Sequence, residues 1–261
     1  MKEKTIFTVQ TDVNSIEIDV VNAAITVQVA TDGTFKIEYP EVQNISVGAD
    51  SDSVVLSQRK YLFSNWKAQQ LSVFIPTHTV PDVKIRAKNC SLKIIGGIYG
   101  ELACSIGDGT VHLTDAVFGG VEITGDDVDA KICGVTIKGK LFLQIEKGNV
   151  LAENTFAIRS DCKVKKGNIG LAFVNCKDCA FNTDRGNITA TIAGNEQSFN
   201  TTLITREGTL NREGVKRDGA DGNFQAYADK GNIVLNFADE TPQVPDTSAP
   251  HENGDGTTKE L

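Results

Sequence analysis

Basic side chains recur at one position of a short repeated motif. Lys147, Lys166 and Arg185 each come directly before a Gly-Asn pair, and Lys165 lies beside them. If the repeats stack, these cations form a column about 4.8 Å apart. Like charges that close repel unless solvent, Glu146 or a bound anion offsets them, and backbone amides at Gly-Asn corners would add donors. The pattern predicts an anion-binding edge; the alternative is a solvated edge whose lysines discourage strand aggregation.

The six cysteines include one CxxC motif, Cys176–Cys179, which could suggest redox or zinc chemistry. Redox activity would need a helix N-terminus to lower a thiol pKa, and no helix is predicted there. A structural zinc site needs four ligands, and His78, His112 and His251 are distant in sequence. A chain of 261 residues without an export signal predicts reduced thiols that pack as small hydrophobes. These cysteines are Cys90, Cys104, Cys133, Cys162, Cys176 and Cys179.

Two acidic segments and one aromatic segment are the remaining candidates. Asp126, Asp127 and Asp129 could serve acid–base catalysis or bind Ca²⁺, with His112 and Lys131 nearby, but a turn explains them as well. The segment DGADGN at 218–223 lacks the EF-hand spacing and predicts a flexible turn. The segment 61–66 could bind a sugar or a partner, and we expect it instead to cap one end of the fold. Its large side chains are Tyr61, Leu62, Phe63 and Trp66. No catalytic, cofactor-binding or metal-binding residues are predicted.

The elements that must position these residues follow from an internal repeat. The anchors are Ala23, Cys90, Gly109, Asp126, Gly148, Gly167, Gly186, Gly208 and Gly231. From Cys90 onward they are 19, 17, 22, 19, 19, 22 and 23 residues apart. The residue two positions after each anchor is apolar, as is the residue five positions before it. Three positions before the anchor, only Thr183 and Thr205 are polar. Each repeat therefore predicts two short strands with alternate residues buried, joined at a glycine-polar corner.

Two all-β architectures fit this pattern. One is a β-solenoid, parallel β-helix-like, with about 19–22 residues per coil. The other is a meander of hairpins, since Gly-Asn is also a two-residue hairpin turn. Stacked coils must keep the same register because each coil buries its apolar face against its neighbours, whereas successive hairpins need not. The register held over the seven intervals between anchors therefore favours the solenoid. Residues 31–80 break the phase and predict an N-terminal antiparallel β excursion, between a first coil near 16–29 and about eight coils that end at Phe237.

Composition and charge set the domain organisation. The sequence predicts one β-solenoid domain over residues 1–238 and a disordered acidic tail over residues 239–261. Six acids and one base in the tail contribute −5 of the net charge of −8. The remaining body is nearly neutral, which argues against sequence-specific nucleic-acid binding. No apolar run is long enough for a transmembrane segment, and the absence of a signal peptide predicts a cytoplasmic protein.

The chain resembles the bacterial "putative adhesin" family, a β-solenoid domain of unknown function. The resemblance covers roughly residues 5–238 and depends on VFIP at 73–76, the strand at 83–87 and the turn Asn89-Cys90-Ser91-Leu92. Cys90 and Asp126 depart from the glycine that the family carries at its turns. The resemblance implies an adhesin-like role without catalysis and an association with the cell envelope.

The sequence therefore predicts a non-enzymatic structural or adhesin-like binding protein without a cofactor. Its partner would be an anionic glycopolymer, lipid headgroups or a protein. A carbohydrate-active β-helix enzyme is one alternative. A polymerising, bactofilin-like scaffold that self-associates by end-to-end stacking is another.

Overall fold

The computed structural model describes residues 4–10, 12–41, 44–58 and 68–238, and these residues confirm the all-β class. One 3₁₀ turn, Glu196–Ser198, interrupts the strands. The strands are β1 Lys4–Val9, β2 Ser15–Val29, β3 Phe35–Pro40, β4 Ile45–Asp50, β5 Ser53–Gln58, β6 Gln69–Ile75, β7 Asp82–Ile95, β8 Ile98–Thr114, β9 Val117–Cys133, β10 Thr136–Lys147, β11 Val150–Glu153, β12 Phe156–Lys166, β13 Ile169–Arg185, β14 Ile188–Ala193, β15 Phe199–Glu207, β16 Gly222–Lys230 and β17 Ile233–Ala238.

The repeating unit, here called a rung, is a first arm, a corner, a second arm and a return turn. Within β8 the first arm ends at Ile106 and the second begins at Asp108. Each rung pairs in parallel with the next, so that Ile85, Cys104 and Ile123 lie side by side. Alternate residues of both arms face one continuous interior because strand side chains alternate between faces. The parallel, in-register pairing that the repeat predicts is therefore present.

In one rung, the anchor predicted from the sequence, Asp126, lies two residues before the true corner residue, Val128. Gly109 pairs with Val128, not with Asp126, and Val150 pairs with Ala130. Val128 occupies the corner with its side chain fully buried, because this corner directs a side chain into the core. The acidic residues 126 and 127 lie before it on the same strand. With the anchor corrected, Ala130 replaces Val128 in the buried position that follows each corner.

The rungs do not stack in sequence order at either end. At the N-terminal end, β5 and β6 pair in parallel with β2, whose other edge pairs with β7. At the C-terminal end, β16 pairs in parallel with both β13 and β15. The last rung in sequence, β16 with β17, is thus inserted between β13–β14 and β15. Neighbouring rungs are therefore not consecutive in sequence here, because the chain passes one rung position and then returns to fill it.

The predicted antiparallel excursion over residues 31–80 is present in the described parts of this range, 31–41, 44–58 and 68–80. Strand β3 pairs antiparallel with β1 and β6, and β4 pairs antiparallel with β5. The hairpin prediction is wrong for the inner edges of β5 and β6, which join the parallel stack through β2. The aromatic segment 61–66 and the acidic tail 239–261 lie outside the described residues.

A loop covers the opposite end of the stack. The backbone N–H of Thr201 in β15 donates to the carbonyl oxygen of Val215 at 2.8 Å. Arg217 donates to the carbonyl oxygen of Phe199 and pairs with Glu196, which also pairs with Arg212 at 2.6 Å. These contacts hold residues 211–217, here called the C-terminal cap, against the outer edge of the last rung.

Candidate functional site

The predicted cations come together in one line along the corner of the stack. Lys147 pairs in register with Lys166, Lys166 with Arg185, and Arg185 with Lys230. These four residues are here called the basic row. Lys230 adjoins Arg185 because β16 is inserted before β15, so that Glu207 follows the row and does not interrupt it. At about 4.8 Å per rung, the row is roughly 14 Å long.

Carboxylates neutralise the two ends of the basic row. Lys147 forms an ion pair with Asp127, and this hydrogen bond is the main reason that the pKa of Lys147 is raised. Lys230 pairs with Glu207 at 3.1 Å. In the part of the chain that the structure describes, neither Lys166 nor Arg185 forms an ion pair, and both side chains are exposed. The middle of the row therefore carries two adjacent positive charges without protein counter-charges.

Lys165 does not share the position of the basic row. It lies one residue before Lys166 and donates to Glu146 at 2.6 Å, which raises the pKa of Lys165 above its ordinary value. Its charge is thus balanced by a neighbouring rung. The sequence placed Lys165 beside the row and named Glu146 as a possible counter-charge, and in the structure Glu146 pairs with Lys165.

Glycine is required at the corners that support the basic row. Gly148, Gly167, Gly186 and Gly231 have φ between 135° and 158°, a region that other residues rarely adopt. A Cβ at Gly167 would overlap the carbonyl oxygen of Gly148 and lie 2.7 Å from its carbonyl carbon. At these corners the positive φ would direct a Cβ at the carbonyl group of the neighbouring rung, so only glycine allows the rungs to stack there.

An asparagine ladder runs beside the basic row and fixes its register. The Oδ1 of Asn149 accepts from the backbone N–H of Asn168 at 3.1 Å, and the Oδ1 of Asn168 accepts from that of Asn187 at 2.9 Å. Asp129 begins this ladder by accepting from Asn149. The backbone N–H of Asn232 extends the ladder by donating to the Oδ1 of Asn187. The backbone N–H of Thr209 ends it by donating to the Oδ1 of Asn232. The stacked asparagines therefore hydrogen-bond from rung to rung.

Two residues that broke the apolar pattern also support the corner. Thr183 is fully buried, and its hydroxyl donates to the carbonyl oxygen of Gly167 at 3.1 Å. Thr205 makes the equivalent bond to Gly231 at 2.8 Å. Each bond provides a hydrogen-bond donor for a carbonyl oxygen at a corner. The signal in the sequence was a threonine three residues before a corner glycine, and its meaning was missed.

The prediction that all six cysteines are reduced thiols is wrong for the two cysteines of the CxxC motif. Cys176 and Cys179 form a disulfide, and both side chains are buried. Residues three apart on a regular strand face opposite sides, so an irregularity in β13 must turn both cysteines inward. The other four cysteines are free, as expected, and burial raises the pKa of Cys90 to about 12.

The acidic cluster is divided among separate structural roles. Asp127 pairs with Lys147, and Asp129 accepts from Asn149. Residues 218–221 form a loop, while Gly222 and Asn223 begin β16. Among residues 4–238, apart from the undescribed gaps, no group of three potential metal ligands is found. In the same residues, no helix has the length and apolar character needed to cross a bilayer.

Parallel in-register rungs, corner glycines and a polar ladder define an all-β repeat protein. The chain belongs to the Toastrack DUF4097 family, whose model matches residues 1–243. Comparison with curated proteins finds no match.

Three solved structures similar to this chain come from Parabacteroides distasonis and Bacteroides fragilis. A "putative adhesin" from Parabacteroides distasonis has a TM-score of 0.59 at 10% identity, covering 90% of this chain and 97% of that chain. A "putative adhesin" from Bacteroides fragilis has a TM-score of 0.48 at 15% identity, covering 91% and 98%. A "putative lipid binding protein" from P. distasonis has a TM-score of 0.36 at 11% identity, covering 90% and 96%. At 10% identity, the similarity to the first of these structures shows a shared fold and nothing more.

Proposed function

We propose that the chain is a non-catalytic, adhesin-like binding protein of the cell envelope. Its scaffold is a β-solenoid of about 19–22 residues per coil, and its basic row binds phosphate groups repeated along a polymer or a membrane surface. The observation that carries the proposal is the pair Lys166 and Arg185, adjacent in register and without carboxylate partners among the described residues.

The electrostatic repulsion between Lys166 and Arg185 is an argument for a bound anion. Two unit charges 4.8 Å apart repel by about 0.9 kcal/mol even in bulk water. Flexible side chains can move apart, but the rungs hold their backbones in register through the asparagine ladder. A bound phosphate would offset this repulsion, and Arg185 could donate two hydrogen bonds to one phosphate.

The order of the rungs strengthens the proposal. Inserting β16 places Lys230 next to Arg185 and moves Glu207 to the outside of the row. A stack in sequence order would instead have placed Glu207 against Arg185 and neutralised it. The observed order therefore leaves the central charges free for an external anion.

The experiment measures binding to two phosphodiester probes at low salt. One probe is soluble poly(glycerol phosphate), and the other is a vesicle that contains phosphatidylglycerol. We expect the K166S/R185S variant to lose at least tenfold in affinity and the parent to weaken steeply as salt is added. The two probes distinguish a soluble polymer from a lipid surface.

A matched control removes the same charges elsewhere. Lys84 and Arg86 both pair with Glu17, so the K84S/R86S variant has the same net charge as K166S/R185S but leaves the basic row intact. Equal weakening by both variants would show that only net charge matters. Absence of binding by the parent at low salt would refute the proposal. Cell fractionation tests the proposed location. Recovery with the cell envelope would support the proposal, and recovery in the cytoplasm would instead agree with the prediction made from the absence of a signal peptide.

A further inference from the structure

A polar groove lies on the outer face of the first arms, at the opposite end of the strands that carry the basic row. It has a volume of about 300 Å³ and crosses four rungs. Lys140 and Lys147 lie on the same strand seven residues apart, which corresponds to roughly 23 Å. The groove is therefore a separate surface, and its interpretation does not rest on the proposed function.

The groove exists because one side chain in a column is small. Asp161, Ala180 and Gln225 occupy the same outward position on three successive rungs. The methyl group of Ala180 leaves space between its longer neighbours, which are about 9.6 Å apart across two rungs. The adjoining outward column consists of Lys140, Arg159, Asp178 and Asn223, which form one wall of the groove.

The wall contains two cations, which differ in whether they form an ion pair with a described residue. Lys140 pairs with Asp161 at 3.2 Å and also lies over the ring of Phe142. Arg159, in contrast, forms no ion pair with any described residue, although it lines the groove. A guanidinium group presents a planar pair of donors that fits a carboxylate. The groove therefore offers one site for a carboxylate group.

The remaining polar groups suit hydroxyl groups. The Nδ2 of Asn223 donates to Asp178 at 2.9 Å, while its Oδ1 accepts from Asn200, which fixes the orientation of this amide. Asp161 and Asp178 can accept hydrogen bonds from hydroxyl groups, and Gln225 can both donate and accept. The groove volume is at the small end of ligand sites, which suits one or two sugar rings.

We propose that this groove binds a uronic acid unit, with Arg159 on the carboxylate and Asp161, Asp178 and Gln225 on the hydroxyl groups. A ligand that has one carboxylate and several hydroxyl groups uses both parts of the wall. A simple anion would engage Arg159 alone, and a neutral sugar would leave Arg159 without a partner.

The test uses a trimer of galacturonic acid as the probe, with an uncharged galactose trimer and inorganic phosphate as comparisons. Titration calorimetry should show saturable binding of the acidic trimer, at least tenfold tighter than either comparison. The R159A variant should lose at least tenfold in affinity. The A180Y variant, which fills the groove from a half-buried, outward-facing position, should abolish binding.

Two controls separate this site from other effects. Ala103 occupies the same outward column as Ala180 on a distant rung, so A103Y should bind the acidic trimer as the parent does. The K166S/R185S variant should also bind normally, which distinguishes this proposal from the one for the basic row. Equal binding of the neutral trimer, equal binding of phosphate, normal binding by R159A or no binding by the parent at millimolar concentration would overturn the proposal.

Discussion

Replacing Gly167 by alanine tests whether close contact between rungs at the corner holds the stack together. The added methyl group would overlap the carbonyl oxygen of Gly148, and the residue would have to adopt φ near 145°. The strained backbone costs about 1–3 kcal/mol, and the steric overlap adds about 1–3 kcal/mol. We expect a loss of about 4 kcal/mol, a large share of the 5–15 kcal/mol that stabilises a typical domain.

Two other glycines separate the contributions to this loss. Gly33 has φ of 69° but open space around its Cβ position, so G33A should show only the backbone strain, about 1 kcal/mol. Gly48 has neither a positive φ nor a neighbour within 4 Å, so G48A should change stability by less than about 0.5 kcal/mol.

The assay is urea unfolding of the parent and the three variants, with the slope of each transition compared to confirm that the same structure unfolds. The order of destabilisation should be G167A, then G33A, then G48A. If G167A loses no more stability than G33A, the close contact between corners contributes nothing, and the reasoning is wrong.

Three further predictions follow from the same contacts. In I169D, an unpaired carboxylate would be buried between Val150 and Ile188, so the protein should lose at least about 3 kcal/mol, and an unchanged melting temperature would contradict the observed register. N168A removes the Oδ1 that accepts a hydrogen bond from the backbone N–H of Asn187 and should cost about 1 kcal/mol in urea unfolding, and an unchanged free energy of unfolding would show that the ladder adds no stability. The pKa of Glu196 is lowered, chiefly by its hydrogen bond to Arg212, so this contribution is present at neutral pH and is lost as the pH falls through the folded-state pKa. The protection factors of amide hydrogens in the C-terminal cap, corrected for the pH dependence of the intrinsic exchange rate, should therefore fall in acid in the parent. In E196Q they should already be low at neutral pH and change little in acid; protection factors in the parent that do not fall in acid would count against the ion pairs.

Local patterns predicted the rungs, because the burial of alternate residues and the corner glycines both leave direct traces in the sequence. The register could be read from Gly148, Gly167 and Gly186, where backbone geometry demands glycine. It could not be read at Val128, because a corner that buries an aliphatic side chain looks like an ordinary strand position. The return turns were also missed, since Asp115, Asn154 and Phe173 adopt positive φ without sharing a residue type.

The candidate site was predicted in part. The alignment of Lys147, Lys166 and Arg185 followed from the repeat, but the place of Lys230 depends on a change of rung order that no local pattern encodes. The uronic-acid groove was missed for a similar reason. It depends on the small size of Ala180 relative to Asp161 and Gln225, which are neighbours only after the rungs pair.

The insertion of β16 between β13 and β15 has a consequence for how the chain can fold during synthesis. A stack that grew by adding each new rung to the last would place β15 directly on β13, where its own corner residues, Gly208 and Thr209, match the pattern of that position. The native arrangement requires this position to stay vacant, or to be vacated, until residues 222–238 have left the ribosome. Completion of this end is therefore a late step that competes with a misregistered intermediate, and the loop between β15 and β16 must be long enough to let the strands exchange.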